Sequence, residues 1–362
     1  MQRLDPAVHA LFSEFREAVY ARVALEEDLK ASRGAPVRKT VKGRTYWYLQ
    51  AVKEGQRIQR YLGPDTPEVR TLVEDLRRTS AEKRALVMSL RQREAELART
   101  LRAAGVPMLP GPIFKVVEVL SAARIIWGRG LLVGTLAFGA YAGLLGWRWD
   151  RPSVRTVDID IAVEILTSSD LANGGVVSLQ GTLQRTGLLF REVPPIDRHS
   201  PPTSLISDTG IRVDLLCGLQ EGPPKRRLVP WMEGLAATPL VGFELLMKNP
   251  EETVLLGERR GVPVLVPEPA RFAFHKLVAA ADRPWTEHEK RQKDIVQASQ
   301  LISALLEDRP EDLMDVWSVF CESGRGMRRR LERGLALLPE ELRGRLKDFL
   351  ASGAEPGGTP SP

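Results

Sequence analysis

Cysteine is nearly absent from these 362 residues: Cys217 and Cys321 are the only two. That excludes a disulfide framework and a thiolate metal cluster, and both are expected to be buried spectators. Histidine is almost as scarce, and His9, His199, His275 and His288 show no zinc-site spacing. No apolar run reaches the roughly 18 to 20 residues that span a bilayer. The nearest, Leu131 to Leu145, is broken by Gly134, Gly139 and Gly143. The opening MQRLDPAVHALFSEF has acids where a signal peptide would be apolar, so a cytoplasmic protein without a membrane partner is expected. A phosphate-binding G-x-x-x-x-G-K-[ST] loop and a nucleophile-bearing G-x-S-x-G turn are both missing, which removes P-loop NTPases and triad hydrolases.

What is present is enough to fold: 43% of residues are hydrophobic, and the length suits two or three domains. Val8, Phe12, Phe15, Val19 and Val23 recur at helical spacing and predict an amphipathic helix over residues 5–32. Two aromatic runs, Thr45–Ala51 and Arg57–Leu62, predict a β-hairpin within residues 39–63. A charged helix over 67–104 follows, with Val69, Leu72, Leu76, Leu86, Leu90 and Leu97 near a heptad seam. An antiparallel pairing with the first helix and a homodimeric coiled coil both account for that seam.

The turn-rich Gly105–Pro112 marks a boundary at about residue 110. Beyond it strands and helices mix: a helix at Phe114–Ile126, a strand at Gly130–Val133, and a helix at Ala137–Leu145. Strands are predicted at Asp158–Glu164, Val176–Leu179, Leu188–Glu192, Ile211–Leu216 and Val262–Val266. This mixing predicts an α+β or α/β core over 111–242. A mainly helical region over 243–351 and a disordered tail over 352–362 complete the chain.

The chemistry sits on the core. In an extended strand Asp158 and Asp160 point to one face while Val157, Ile159 and Ile161 point to the other. Like charges held this close need a cation, and oxygen-only ligands select a hard ion such as Mg²⁺ or Mn²⁺. Asp214 repeats the device on another apolar strand; it reads either as a third ligand or as an acid paired with Arg212. Three acids on one sheet face would hold two metals for in-line phosphoryl or nucleotidyl displacement. Gly134-Thr135, at a strand-to-helix turn, could bind phosphate through helix N–H groups and the Thr135 hydroxyl, and Arg155-Thr156 places a cation and a hydroxyl just before Asp158.

Gly134-Thr135, Asp158-x-Asp160 and then Asp214 resemble the signature of the DNA polymerase β nucleotidyltransferase superfamily. More narrowly, GTLAFGAYAGLLG followed by TVDIDIAV is similar to bacterial stand-alone proteins of that superfamily related to the AbiEii toxins, over about residues 112 to 300. The resemblance implies a polymerase-β-like mixed sheet with a helical C-terminal domain and a helix and β-hairpin N-terminal arm. It implies two Mg²⁺ ions, with Mn²⁺ an alternative, bound by Asp158 and Asp160, while Asp214 binds the catalytic ion and helps deprotonate the attacking hydroxyl. Gly134, Thr135, Arg155, Thr156 and Lys276 would contact the nucleotide. Lys276 would stabilise the leaving pyrophosphate, and Asp294, of the pair Lys293-Asp294, would orient it. The interval from Gly134 to Asp158 exceeds the minimal pattern, so an insertion around Trp147–Arg155 must be accommodated. Thr135 stands where serine is commoner and keeps the hydroxyl.

Net charge is +6, and its distribution says more than its sum. From Arg33 to Gly63 eight Lys/Arg face the single acid Glu54. Within that stretch Lys39, Lys42, Arg44, Arg57 and Arg60 interleave with Tyr46, Trp47, Tyr48 and Tyr61, and Tyr46 and Tyr48 should share a face opposite Trp47. Rings that stack on bases beside cations that neutralise phosphates predict a nucleic-acid surface. A small hairpin core with a solvated basic rim is the alternative. The expected reaction is Mg²⁺-dependent transfer of NMP from an NTP to an RNA hydroxyl, tRNA included; the resemblance to the AbiEii group implies a toxin-like role with an antitoxin partner, beside which a resistance or housekeeping role stays open. Rival readings are a protein or small-molecule acceptor, and a non-catalytic nucleic-acid-binding module.

Overall fold

The computed structural model of the chain describes residues 1–352 apart from 33, 54–55, 151–157, 165–174, 196, 198–199 and 220–225. Residues 353–362, most of the predicted tail, lie outside the described residues, as do Arg155 and Thr156.

The N-terminal part begins with a short strand β1 (Gln2–Arg3) and helix α1 (Pro6–Ala31), whose first turn is capped by the Asp5 carboxylate accepting from Ala7 N. Strands β2 (Ala35–Val41), β3 (Arg44–Lys53) and β4 (Gln56–Pro64) form an antiparallel sheet in the order β2-β3-β4. The sequence pattern predicts the last two. The first escapes it because Ala35-Pro36-Val37-Arg38 carries little apolar alternation, and the Lys42-Gly43 turn, both residues at positive φ, joins it to β3. Helix α2 (Pro67–Ala103) returns antiparallel to α1: Asp28 pairs with Lys83, Glu26 with Arg91, and Glu14 with Arg93. Its buried face runs through Val73, Val87, Glu94, Leu97, Ala98 and Leu101, while Leu72 and Leu86 are exposed. The seam is thus shifted from the heptad reading by the need to meet Phe12, Phe15 and Val19 of α1.

The second part supplies α3 (Gly111–Ala122), β5 (Gly130–Val133), α4 (Gly134–Leu145), β6 (Trp147–Arg148), β7 (Asp158–Val163), α5 (Leu179–Gln184), β8 (Phe190–Glu192), β9 (Ser204–Ser207), β10 (Arg212–Gly218), β11 (Arg227–Leu228), β12 (Ala236–Leu240) and α6 (Phe243–Leu246). The main sheet runs β11-β12-β10-β7-β5. β7 lies parallel to β10 and antiparallel to β5, while β10 gives the first half of its other edge to β9 and the second half to β12. The strand predicted at Val176–Leu179 is not one. Val177 makes a single bridge to Met232, and Ser178 caps α5 by accepting from Gly181 N. The extra Trp147–Arg148 residues pair with β1, and the Trp149 ring stacks on Phe138 at 5.0 Å between centroids.

A hairpin of β13 (Glu251–Leu256) and β14 (Gly261–Val266) then leads into α7 (Pro269–Asp282), a 3-10 turn at Trp285–Glu287, and α8 (His288–Asp308), α9 (Pro310–Glu322), α10 (Arg325–Leu335) and α11 (Glu340–Ser352). The sequence reading finds β14 but misses β13, because polar Glu251 and Glu252 mask the apolar run Val254-Leu255-Leu256. One buried cluster continues from Ile113 through the sheet to Leu350, so the sheet and the C-terminal helices share a core. A second cluster joins α1 and the end of α2 to Val254 and Leu256 of β13.

Candidate active site

β7 places Asp158 and Asp160 on one face and buries Ile159 and Ile161 completely on the other, as alternation requires. The parallel register sets Asp214 directly opposite Asp160 and Arg212 opposite Asp158. On the other side of β7, Val133 pairs with Asp160, so the turn into α4 passes beside that carboxylate. Gly134, at φ +65°, shows how closely: a Cβ there would lie 2.0 Å from Asp160 Oδ2. Only glycine meets both demands. No side chain caps the start of α4, which leaves its first N–H groups beside Thr135 for an anion.

The three carboxylates are not equivalent. Asp158 is exposed and Asp160 is partly buried. Burial pushes the Asp160 carboxyl above its usual range; Lys276 opposes this, and Asp214 and Asp158 reinforce it. Asp214 accepts from Arg212 Nε at 2.8 Å and from the Ser204 hydroxyl of β9, while Arg212 also reaches Ser204 Oγ at 3.1 Å. Asp214 thus stands in register with Asp160 and is paired with Arg212. Ser204 was not legible, since nothing in SPPTSLIS sets one serine apart.

Opposite this face stands a charge lattice on α7 and α8. Lys276 Nζ donates to Asp294 Oδ1 at 2.7 Å, and Arg283 Nε donates to Asp294 Oδ2 at 2.6 Å. Asp294 is 2% exposed; burial pushes its carboxyl up, but the two cations outweigh burial and hold it below the ordinary value. The Lys276 ammonium also lies 5.2 Å from the Phe272 ring, and its field reaches Asp160. Lys293 is likewise within electrostatic reach of Asp160 and Asp158, and burial, then Lys276, lowers its pKa. His275 is buried rather than on the helix surface. Its Nε2–H donates to Val241 O at 3.0 Å, and burial brings its pKa down to about 4, so it stays neutral and is committed to the backbone.

No set of three or more His, Cys, Asp or Glu side chains among the described residues is gathered tightly enough to hold an ion as it stands. The donor chemistry nevertheless suits a hard divalent cation. Two carboxylates project from one strand face, and a third lies one strand across, free to join once it leaves Arg212.

The basic sheet brings together part of its predicted set. Tyr46 and Tyr48 both pack against Tyr61, at 6.1 and 5.5 Å between centroids, and Lys39 sits over Tyr48. Strand parity adds Arg44 and Arg57 to this face and puts Arg60 on the opposite one; Lys42 is in the turn. Trp47 turns inward, as its parity predicts: its Nε1–H donates to Asp65 at 2.8 Å and Arg77 of α2 covers its ring.

The profile of a family described as nucleotidyltransferase matches residues 112–322, more than half of the chain, and contains all of the carboxylates and Lys276. A second profile, described as a domain of unknown function, matches residues 15–71, which include the whole three-stranded sheet. No curated protein and no solved structure matches.

Proposed function

Because this chain belongs to the nucleotidyltransferase family, we propose that it moves a nucleoside monophosphate from an NTP to an acceptor hydroxyl. The acceptor oxygen forms a bond to the α-phosphorus, the α–β anhydride bond breaks, and pyrophosphate leaves. The observation that carries the reading is the register of Asp160 with Asp214 on β7 and β10, with Asp158 on the same face and Gly134 against Asp160.

Asp158 and Asp160 would hold Mg²⁺ or Mn²⁺, and Asp214 would join them on leaving Arg212. Metal there would spread the charge developing on the phosphates and favour the ionised hydroxyl. Asp214 is the carboxylate that takes the hydroxyl proton. The Gly134 turn and the Thr135 hydroxyl cradle the phosphates. Lys276, steered by Asp294, meets the leaving pyrophosphate. Arg155 and Thr156 keep their proposed place in nucleotide binding.

The tyrosine face of the β2-β3-β4 sheet supports RNA, tRNA included, as the acceptor. Arg44 and Arg57 share the face of its rings, and neither has an ion-pair partner among the described residues. No helix among the described residues is long and apolar enough to cross a membrane. Exposed Leu72 and Leu86, which share a face of α2, support pairing between two copies through that helix.

Transfer from each of the four α-labelled NTPs to total bacterial RNA with Mg²⁺, run beside Asp158→Ala, tests the reading. Labelled RNA that disappears in the variant is the expected result. Label on protein or a small molecule instead would move the acceptor, and no transfer at all would leave a binding module.

A further inference from the structure

Gln297 of α8 is the one side chain among the described residues with two buried polar atoms and no partner for either. It is 2% exposed. A buried carboxamide with donor and acceptor both idle is costly, and most proteins avoid it. Gln300, one turn on, shows how such a side chain is usually satisfied: it accepts from Asp150 N at 2.7 Å and donates to Asp150 O at 3.1 Å.

Gln297 lines a cavity of about 410 Å³ together with Phe138, His288, Gln292, Lys293 and Val296. Two elements tie that cavity to the carboxylate face. Phe138 lies one turn into the helix that opens at Gly134-Thr135, and its ring is fixed by the Trp149 indole, whose Nε1–H donates to Phe138 O at 3.0 Å. Lys293, from the opposite wall, interacts electrostatically with Asp160 and Asp158. The rim carries a further aromatic pair, with His288 edge-on to the exposed ring of Trp285.

We propose that this cavity takes the nucleobase of the NTP, with the Gln297 carboxamide reading the base edge and Phe138 forming the apolar wall. The assignment rests on the nucleotidyl-transfer reading above. A triphosphate held at the Gly134 turn has its nucleoside end free to reach one helical turn along α4, where the cavity lies. Every base presents a donor beside an acceptor, and a carboxamide presents the complementary pair. One orientation of the amide suits the amino bases adenine and cytosine, and the flipped orientation suits the keto bases guanine and uracil. Preference should therefore divide along that line.

The test is equilibrium binding, with Mg²⁺, of each of the four NTPs and of inorganic tripolyphosphate. It compares the full-length chain with Gln297→Leu and with Val296→Trp, which fills the cavity. Leucine removes the idle amide at similar volume, so Gln297→Leu should melt at the same or a higher temperature. The expected result is that the preferred NTP binds more tightly than tripolyphosphate. Gln297→Leu should then weaken that NTP about tenfold and level the differences between bases, with tripolyphosphate unchanged. Val296→Trp should weaken all four NTPs and spare tripolyphosphate. Unaltered base preference in Gln297→Leu, or equal binding of NTPs and tripolyphosphate to the native chain, would overturn the base site while leaving nucleotidyl transfer standing. Binding of neither NTP nor tripolyphosphate would sink the transferase reading, and the base site with it.

Discussion

Asp160, partly buried on the sheet, and Asp294, buried on the helix pair, both interact with Lys276, and they are pushed in opposite directions. Asp160 has two like charges for neighbours and no hydrogen-bonded cation among the described residues, so burial wins and its proton is held more tightly. Asp294 is more deeply buried, yet Lys276 and Arg283 bond to both of its oxygens and burial loses. The sheet face is thus short of positive charge and the helix pair is saturated with it. A charge deficit is costly to the fold and serves a ligand, whereas a completed charge lattice serves the fold.

The largest expected effect breaks the sheet side. Asp160→Ala should lower transfer on the order of 10³-fold, while its melting temperature holds or rises because an uncompensated charge is gone. Thermal melting and single-turnover transfer of the same preparation check both halves. On the helix side the signs reverse. Asp294→Ala should destabilise by about 3–5 kcal/mol, since it strands the ammonium of Lys276 and leaves Arg283 only Glu287, and chemical denaturation would read this directly. Lys276→Met sharpens the contrast, because Arg283 still holds Asp294. Transfer should fall about 10²-fold, chiefly through kcat, with a smaller stability loss.

The smallest effect is in the pH dependence of stability. For Asp160, raised in the folded state, stability falls as pH climbs from the ordinary carboxylate value to the raised one, so Asp160→Asn should flatten that descent. For Asp294, depressed in the folded state, stability is present above the ordinary value and is lost as pH falls through the lower one. His275 adds to the acid side, because stability drops as pH falls from about 6.5 towards its folded value of about 4. Matching slopes for the Asp160 and Asp294 variants would erase the distinction drawn between them.

Alternation and local pairing made much of this legible in the sequence. Asp158, Ile159 and Asp160 sort themselves onto two faces by parity alone, and Gly134-Thr135 marks its turn, whereas the linkage of Lys276 to Asp294, from α7 to α8, is one that only the family resemblance implies. What stayed hidden depends on register between distant segments. Ser204 reaches Asp214 only because β9 lies beside β10, and the idle amide of Gln297 is defined by what fails to pack near it. The phase of α2 belongs to the same class. Its leucines suggest one seam, and the rings of α1 select another.

Arg22 of α1 donates Nε to Glu94 of α2 at 2.5 Å and Nη2 to the Gly261 carbonyl at 2.9 Å, while Gly261 N donates back to Glu94 at 3.1 Å. This knot joins both arm helices to Gly261, the first residue of β14, the strand that leads into α7. The tyrosine sheet rests near the other end of α2, where Arg77 covers Trp47, about 35 Å along the helix from Leu101 at 1.5 Å per residue. The arm is therefore a strut, and it works as a gauge. If RNA is the acceptor, as proposed, one that uses the tyrosine face and the core together must span this strut, so a short oligonucleotide with the right end would make a poorer acceptor than a longer one.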